Sequence, residues 1–515
     1  MRRRVRRGMW LEGGTLAPGQ WGRYNPPERA KVAEGIAAIS SATLAQATVR
    51  SRQRISMNAM LRTWVSAVLC SAGIGEAATA QPPQPMNGAR RTSQMIPSDD
   101  RPPGVPAHLP NRLTISSWVW SWVTYALPGE PYGDLEKCMA ELKARGFNAI
   151  RVDAGLNWCF RMDGAPRGEM EFGPWAAGVS SNLSTVNHRG GGRHDVLKRV
   201  VQLMELAKKH DIYVILTSWE YQDSTWMVAD PKIRAEVYGI PEKERLMRLA
   251  QQHDRLLRVL KEKGLEKHVA FVEVHNEVEY SDFPKGEDGK ALHKAAIAFL
   301  RAAHPDILIS GDFGTHDARI VPDNVQVYDQ HLYSGAAMYW DNLYNQTVLH
   351  PAFDRANPRK LALLDRLLKK DTLPWDQFAL RTGGVRPFWH PIMWLYENLD
   401  NAKLDEYMTE SLPRWEPKIK SVAAQAFETD AREAARRNLP AVLDEGGFFF
   451  PPYGSRWEQS PQALAYFEFL CDLAVKHRWW GFMPTTYCGP EHPLWRERPD
   501  WLKMVNTRFR AGKAE

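Results

Sequence analysis

The chain has 515 residues, of which 25% are charged and 44% hydrophobic, the balance of a globular protein with a large core. An α/β barrel with insertions can hold about 400 residues in one unit. The formal net charge of +7 is concentrated at one end: residues 1–56 carry 11 Lys/Arg against 3 Asp/Glu, which leaves −1 for residues 57–515 and no basic patch there to recruit nucleic acid.

After that basic stretch, Met57-Asn-Ala-Met-Leu-Arg62 leads into the apolar run Trp64-Val-Ser-Ala-Val-Leu-Cys-Ser-Ala-Gly-Ile74 and then Ala78-Thr-Ala80. This is the charged, apolar and small-x-small order of a secretory signal peptide. The expectation is a signal peptide over 57–80, with 1–56 a non-native or disordered basic extension and cleavage after Ala80. The mature chain would then be exported to the periplasm or beyond. A lipoprotein anchored through Cys70 fits less well, because Ala67-Val-Leu69 precedes it poorly. No later segment reaches the roughly 18 apolar residues a membrane span needs, so the mature chain would carry no stable span. Cys138, Cys159, Cys471 and Cys488 remain; their spacing has no zinc pattern, and they read as free thiols in the core.

Residues 81–110 are rich in Pro, Arg, Ser and Asn and read as a linker. From 111 to 515, strand-like and helix-like runs alternate. Leu113–Trp118 is a first strand, Asp134–Arg145 a helix stopped by Gly146, and Asn148–Asp153 a second strand. His194–His210 carries apolar residues at 196, 197, 200, 201, 203, 204 and 207, which is helical spacing. Ile212–Thr217 is a third strand, Glu242–Lys263 a long helix, and Val269–Glu277 a fourth strand. A helix over Ala291–Ala303 precedes strands at Ile307–Ser310 and Val325–His331. A helix over Ala423–Arg437 leads to a seventh strand ending at Glu445. A helix over Pro461–Lys476 leads to an eighth at Trp479–Met483. Eight strands with intervening helices point to a (β/α)8 TIM barrel, with long insertions after strands two and six. In that fold, active sites lie at the C-terminal ends of the strands.

Two glutamates fall there. Glu277 ends Val269-Ala-Phe-Val-Glu-Val-His-Asn-Glu277, and Glu445 ends the apolar run from Leu439. Burying a carboxylate is costly unless it is paired or hydrogen-bonded. Two facing carboxyl groups are what glycoside hydrolysis uses, one as acid/base and one as nucleophile or base. Other polar residues sit at strand ends in a fixed order: Arg151 in strand two, Asn276 beside Glu277, and His331-Leu-Tyr333 after strand six. His275 alternates with Asn276, so a structural role is as open to it as a role in the site, and Asp444 reads as a supporting or structural carboxylate. Twenty tryptophans are many, and at least half read as core. Trp118, Trp120 and Trp122 alternate along an extended run and so share one side; the two readings are that one or two of them, Trp118 included, line the sugar site or that they fill the barrel core. Trp158, Trp219, Trp226 and Trp340 fall in loops at the catalytic end and are candidate sugar platforms.

The ordered set Arg151, Asn276-Glu277, His331-x-Tyr333 and Glu445 resembles the clan A glycoside hydrolases, most closely the cellulase-like family 5, over roughly residues 111–505. The resemblance implies a retaining enzyme that takes β-linked oligo- or polysaccharides, with Glu277 as acid/base and Glu445 as nucleophile. It implies that Arg151 and Tyr333 support the nucleophile, that Asn276 binds the sugar 2-hydroxyl, and that His331 orients Glu445 or binds substrate. No cofactor or metal is implied. The chain departs from the family pattern in two places. Thr217-Ser-Trp-Glu-Tyr-Gln222 lacks the histidine expected near strand three and offers Glu220 as a substrate ligand. The strand-eight tryptophan expected near Pro484-Thr-Thr-Tyr-Cys488 is absent, because Trp479 and Trp480 come too early, and Tyr487 is the substitute platform. These departures suggest a divergent branch. The rival readings are a non-catalytic sugar-binding barrel and a transglycosylase.

Overall fold

The computed structural model describes residues 101–173, 191–314, 316–378, 389–449 and 451–512. The basic extension, the signal-peptide stretch and residues 81–100 of the linker lie outside the described residues. Eight parallel strands form the central sheet: β1 (Leu113–Val119), β2 (Ala149–Asp153), β3 (Tyr213–Thr217), β4 (Val269–Glu273), β5 (Ile309–Ser310), β6 (Tyr328–Leu332), β7 (Ala441–Gly446) and β8 (Gly481–Phe482). Hydrogen-bonded neighbours run β5-β4-β3-β2-β1-β8-β7-β6. The sheet is a nearly closed (β/α)8 barrel. Its seam lies between β5 and β6. Gln326 bridges it with a backbone N–H to the Ile309 carbonyl at 2.9 Å and an Oε1 that accepts the Ile309 N–H at 3.1 Å.

Every residue of β1, β2, β4, β6 and β7 is buried. Strands covered on both faces read as apolar runs rather than alternating ones. The few charges inside them, Arg151, Asp153, Glu273, Asp329, Asp444 and Glu445, therefore have to find partners within the barrel. At the N-terminal end of the strands, Leu113, Ile115, Ala270, Phe271, Val442 and Trp480 pack into one apolar plug. Val105 and Leu109, from the stretch read as a linker, are buried in that plug, and the Trp480 indole donates to the Pro110 carbonyl at 3.0 Å. Trp480 comes early in strand eight because it fills the end of the barrel away from the carboxylates.

The helices are α1 (Leu135–Ala144), α2 (Val196–His210), α3 (Glu242–Glu262), α4 (Gly286–Ala303), α5 (Asn401–Arg437), α6 (Pro461–Lys476) and α7 (Pro499–Ala511). Asp134, Asp195, Asp400 and Ser460 cap α1, α2, α5 and α6 by accepting backbone N–H bonds in the first turn. The α2 stripe of Val196, Val200, Leu203, Met204 and Ala207 is buried as its spacing predicts. α5 begins 22 residues before the expected Ala423, and Pro413 and Pro417 lie inside it. Both prolines are on the exposed face, where water can take the hydrogen bonds they forgo. The insertion after β2 folds partly as an antiparallel hairpin, Glu169–Phe172 against Gly192–Asp195. Among the described residues, the insertion after β6 holds five short helical segments between Ala336 and Asn398, before α5. Among the described residues, no helix is long and apolar enough to cross a membrane.

Candidate active site

β4 ends at Glu273, four residues before the expected end of strand four. The chain then turns so that Glu277 takes φ 40° and ψ 62°, in the left-handed region. That conformation is costly for a residue with a side chain. Asp312 holds it in place, its Oδ2 accepting the Glu277 N–H at 2.7 Å and its Oδ1 the Gly314 N–H at 3.0 Å. Gly314 is itself at φ +67°, and a Cβ there would lie 2.7 Å from the Tyr280 ring and 3.2 Å from the Glu277 Cβ. The turn thus needs a carboxylate below Glu277 and bare backbone beside it.

Across the barrel, Asp444 and Glu445 are adjacent on β7. The ladder between β6 and β7 slips by one residue after Gln330, which sets His331 opposite Glu445 rather than Asp444. His331 Nδ1 lies 3.1 Å from Glu277 Oε1 and 3.5 Å from Glu445 Oε2, while its Nε2 lies 3.3 Å from Asp444 Oδ1. The two glutamates therefore face each other across a single imidazole nitrogen. Burial opposes a charge on His331, but Asp312, Glu445, Asp444 and Glu277 surround it and hold its pKa well above the ordinary value. These carboxylates favour the protonated imidazole.

Arg151, fully buried on β2, ties the base of the site together. Its guanidinium donates to both oxygens of Glu273 at 2.8 and 2.6 Å and to Asn276 Oδ1 at 2.7 Å. It also pairs with Asp444 at 3.0 Å and with Glu445 Oε1. Burial alone would favour losing the charge, yet Asp444, Glu273 and Glu445 outweigh it and keep the guanidinium charged. Asp444 is held well below the usual carboxylate range: burial pushes it up, but Arg151 and His331 prevail. Glu273 goes the other way, pushed up to about 8 by burial despite Arg151.

Glu445 Oε2 accepts from the Tyr333 hydroxyl at 2.5 Å and the Tyr487 hydroxyl at 2.9 Å. Burial first, and Glu445 second, push both phenols well above their usual pKa, so they remain donors. Tyr487 reaches inward because it and Cys488 both take positive φ, at 63° and 48°. β1 secures that turn: the Ser117 N–H donates to the Tyr487 carbonyl at 2.8 Å and Ser116 Oγ to the Cys488 carbonyl at 2.6 Å.

The structure thus brings together Glu277, Glu445, Asn276, Arg151, His331, Tyr333 and Tyr487. Trp219 joins them through its ring, with the Arg151 guanidinium 4.7 Å from the centroid. Trp118, Trp158 and Glu220 are fully buried. Trp118 packs edge-on against Tyr132, and Trp158 against Phe172. Glu220 Oε1 accepts the Asn157 N–H at 3.2 Å. Trp118, Trp120 and Trp122 do not share one side, because β1 ends at Val119 with φ 47° and Ser121–Thr124 is a helical turn. Trp120 instead meets Trp219 edge-on at 5.9 Å. His275 is buried between Tyr221 and Phe283, away from the carboxylates. Cys138, Cys159, Cys471 and Cys488 are buried free thiols.

Four participants were not singled out in the sequence. Glu273 and Asp329 are charges inside apolar strands, which is a signal that could have been read. Asp312 lies just past the two-residue β5 and gave none. Gln222 stands in the loop where a histidine was expected; its Nε2 donates to Glu277 Oε2 at 2.9 Å and its Oε1 accepts from Asn276 Nδ2 at 2.7 Å. Two trios among the described residues, Glu277/Asp312/His331 and Glu273/Asp329/Asp444, bring metal-ligand types within 4.8 Å of one another. His331, whose neighbours favour its protonated form, is part of the first trio, and Arg151 pairs with two members of the second.

A family model described as sugar-binding cellulase-like matches residues 115–287. No curated protein sequence matches the chain. Among solved structures, a protein from Parabacteroides distasonis provisionally described as a glycoside hydrolase is 17% identical, with a TM-score of 0.56 over 78% of this chain and 95% of that one. That likeness is one of fold. A family 5 endo-β-1,4-glucanase from Bacillus licheniformis is 12% identical, covering 78% of this chain and 60% of its own, at a TM-score of 0.38. An endo-β-1,4-mannanase from Thermotoga petrophila is 12% identical, covering 78% and 77%, at 0.40. The chain resembles the cellulase-like clan A glycoside hydrolases, and its barrel is glycoside-hydrolase-like.

Proposed function

We propose that this protein is an exported retaining β-glycosidase acting on β-linked oligo- or polysaccharides, with Glu445 as nucleophile and Glu277 as acid/base. The observation that carries this is the placement of both carboxylates around His331 Nδ1. Their nearest oxygens can be no farther apart than the sum of the two distances to that nitrogen. This favours the separation of about 5–5.5 Å used in retention over the roughly 6.5–9.5 Å used in inversion. Glu445 attacks the anomeric carbon as Glu277 gives its proton to the leaving oxygen, which takes the electron pair of the broken bond. Glu277 then removes a proton from water, and that water displaces Glu445. Arg151, Tyr333 and Tyr487 all donate to Glu445. They can take up charge as it returns to the carboxylate on release. Trp219, at 3% exposure, and Trp120 form an aromatic wall beside this group.

The test is turnover of aryl β-glycosides (gluco, galacto, manno, xylo and fuco) by residues 81–515. Activity on one glycone, abolished in Glu445→Gln and restored by azide in Glu277→Ala, is the expected result. Oligosaccharide binding without turnover would replace it with the sugar-binding barrel, and product chains longer than the substrate with a transglycosylase. Export rests on the signal-like stretch before Gln81. A native N-terminus well upstream of Gln81 would exclude that cleavage.

A further inference from the structure

A chain of hydrogen bonds with a fixed direction runs between the two glutamates. Arg151 has donors only, so the Asn276 atom that meets its NH2 at 2.7 Å must be the amide oxygen. The Asn276 amide nitrogen then faces Gln222 at 2.7 Å, which requires an oxygen there. The Gln222 nitrogen is left to donate to Glu277 Oε2 at 2.9 Å. Amide orientations are commonly a matter of choice, but here a permanent cation sets both. The other end of Arg151 donates to Glu445 Oε1. Gln222 and Asn276 are buried, so water does not easily replace these links.

We propose that Gln222 is the positioning residue of the acid/base: its N–H holds Glu277 Oε2 and so fixes the plane of the carboxyl, with Oε1 turned towards the bond to be cleaved. Oε1 is the oxygen that faces His331 and Glu445, the side on which a glycosidic bond under attack by Glu445 must lie. In the first step the Oε1 proton moves to the glycosidic oxygen as the C–O pair leaves with that oxygen and Glu445 bonds the anomeric carbon. In the second step water returns a proton to Oε1, and its oxygen displaces Glu445. The inference rests on the glycosidase reading above. It adds a residue of a type, and in a loop, where a histidine was expected.

Leaving groups separate positioning from general structural support. A 2,4-dinitrophenyl glycoside leaves without a proton, whereas an alkyl or sugar glycoside needs one. Gln222→Met keeps the length of the side chain and removes both hydrogen bonds. Its loss of kcat/KM should be at least tenfold larger on the poor leaving group than on dinitrophenyl, the same ordering as in Glu277→Ala. Gln222→Glu donates only when protonated, so its activity on the poor leaving group should recover as pH falls. Equal losses of Gln222→Met on both substrates, or a Gln222→Glu pH profile identical to wild type, would overturn the assignment. If Glu277→Ala still shows the leaving-group pattern in that case, the glycosidase reading survives and only the role of Gln222 fails. A wild type that turns over neither substrate would overturn both.

Discussion

Glu277 pays for its position in backbone strain, and Asp312 offsets it with the bond to the Glu277 N–H. Burial pushes Asp312 up to about 6, with the His331 charge pulling it down and Glu277 pushing it up. Asp312→Ala removes the acceptor for two N–H groups at once. Leaving buried donors unmet costs about 1–3 kcal/mol, and a reacting group displaced by about 1 Å can lose 100-fold in rate. Asp312→Ala should therefore lower the urea midpoint and reduce kcat/KM at least tenfold, while Asp312→Asn, which keeps one acceptor, should do less on both counts. Equal kcat/KM for Asp312→Ala and wild type would show that the strained turn needs no anchor. At this scale the sequence was readable where a residue type is costly in its setting. Arg151, Glu277 and Glu445 stood out because charges rarely end or interrupt apolar strands. Asp312 and Gln222 did not, because polar residues in loops are ordinary.

Among the elements, the weakest joint is the seam. β5 has only two strand residues, and β6 starts at Tyr328. No ladder joins them, and the Gln326 side chain stands in for one of its bonds by accepting the Ile309 N–H. Gln326→Ala should cost about 1 kcal/mol by urea unfolding and speed amide exchange at Ile309 more than in β2 or β7. Unchanged exchange at Ile309 would mean the seam does not depend on the Gln326 side chain. The expected strand over Val325–His331 included this residue but could not show that its side chain is used in pairing. The early start of α5 was hidden for a related reason. Pro413 and Pro417 read as helix breakers in a linear sequence, and only their location on the exposed face makes them tolerable.

For the whole molecule, buried titratable groups set the pH response. Burial pushes Glu273 and Glu491 each up to about 8. Both keep a proton in the fold that the unfolded chain releases near 4.5. Their contribution is complete below that value and is lost as pH rises towards 8. Asp153 and Asp329, raised by burial and by neighbouring carboxylates, act in the same sense. Burial holds His253 down at about 4 and His293 at about 3. Neutral in the fold, they contribute stability that is lost as pH falls below 6.5. The two effects oppose each other between 4.5 and 6.5; above 6.5 the carboxyl loss continues, in the same sense as that of His331 and His316, whose carboxylate neighbours raise their pKa in the fold. Thermal stability should therefore fall between pH 6.5 and 8, each such carboxyl contributing up to about 1.4 kcal/mol per pH unit. Glu491→Gln, away from the glutamate pair and beside Tyr132, should flatten that slope. A melting temperature that rises over this range would contradict the assignment.

The sequence by itself determined the eight-strand alternation, the insertions after the second and sixth strands, and the polar residues at the strand ends. These follow from local physics: strands buried on both faces must be apolar, helices must show their stripe, and a charge in such a strand is too costly to be incidental. Only the tertiary structure decided which carboxyl oxygen meets which donor. The one-residue slip that sets His331 opposite Glu445, the left-handed turns at Glu277 and Tyr487, and the amide orientations fixed by Arg151 depend on contacts between residues far apart in the chain. No local periodicity encodes such contacts, because each is settled by the closing of the barrel and by the electrostatics of groups that meet only when it closes.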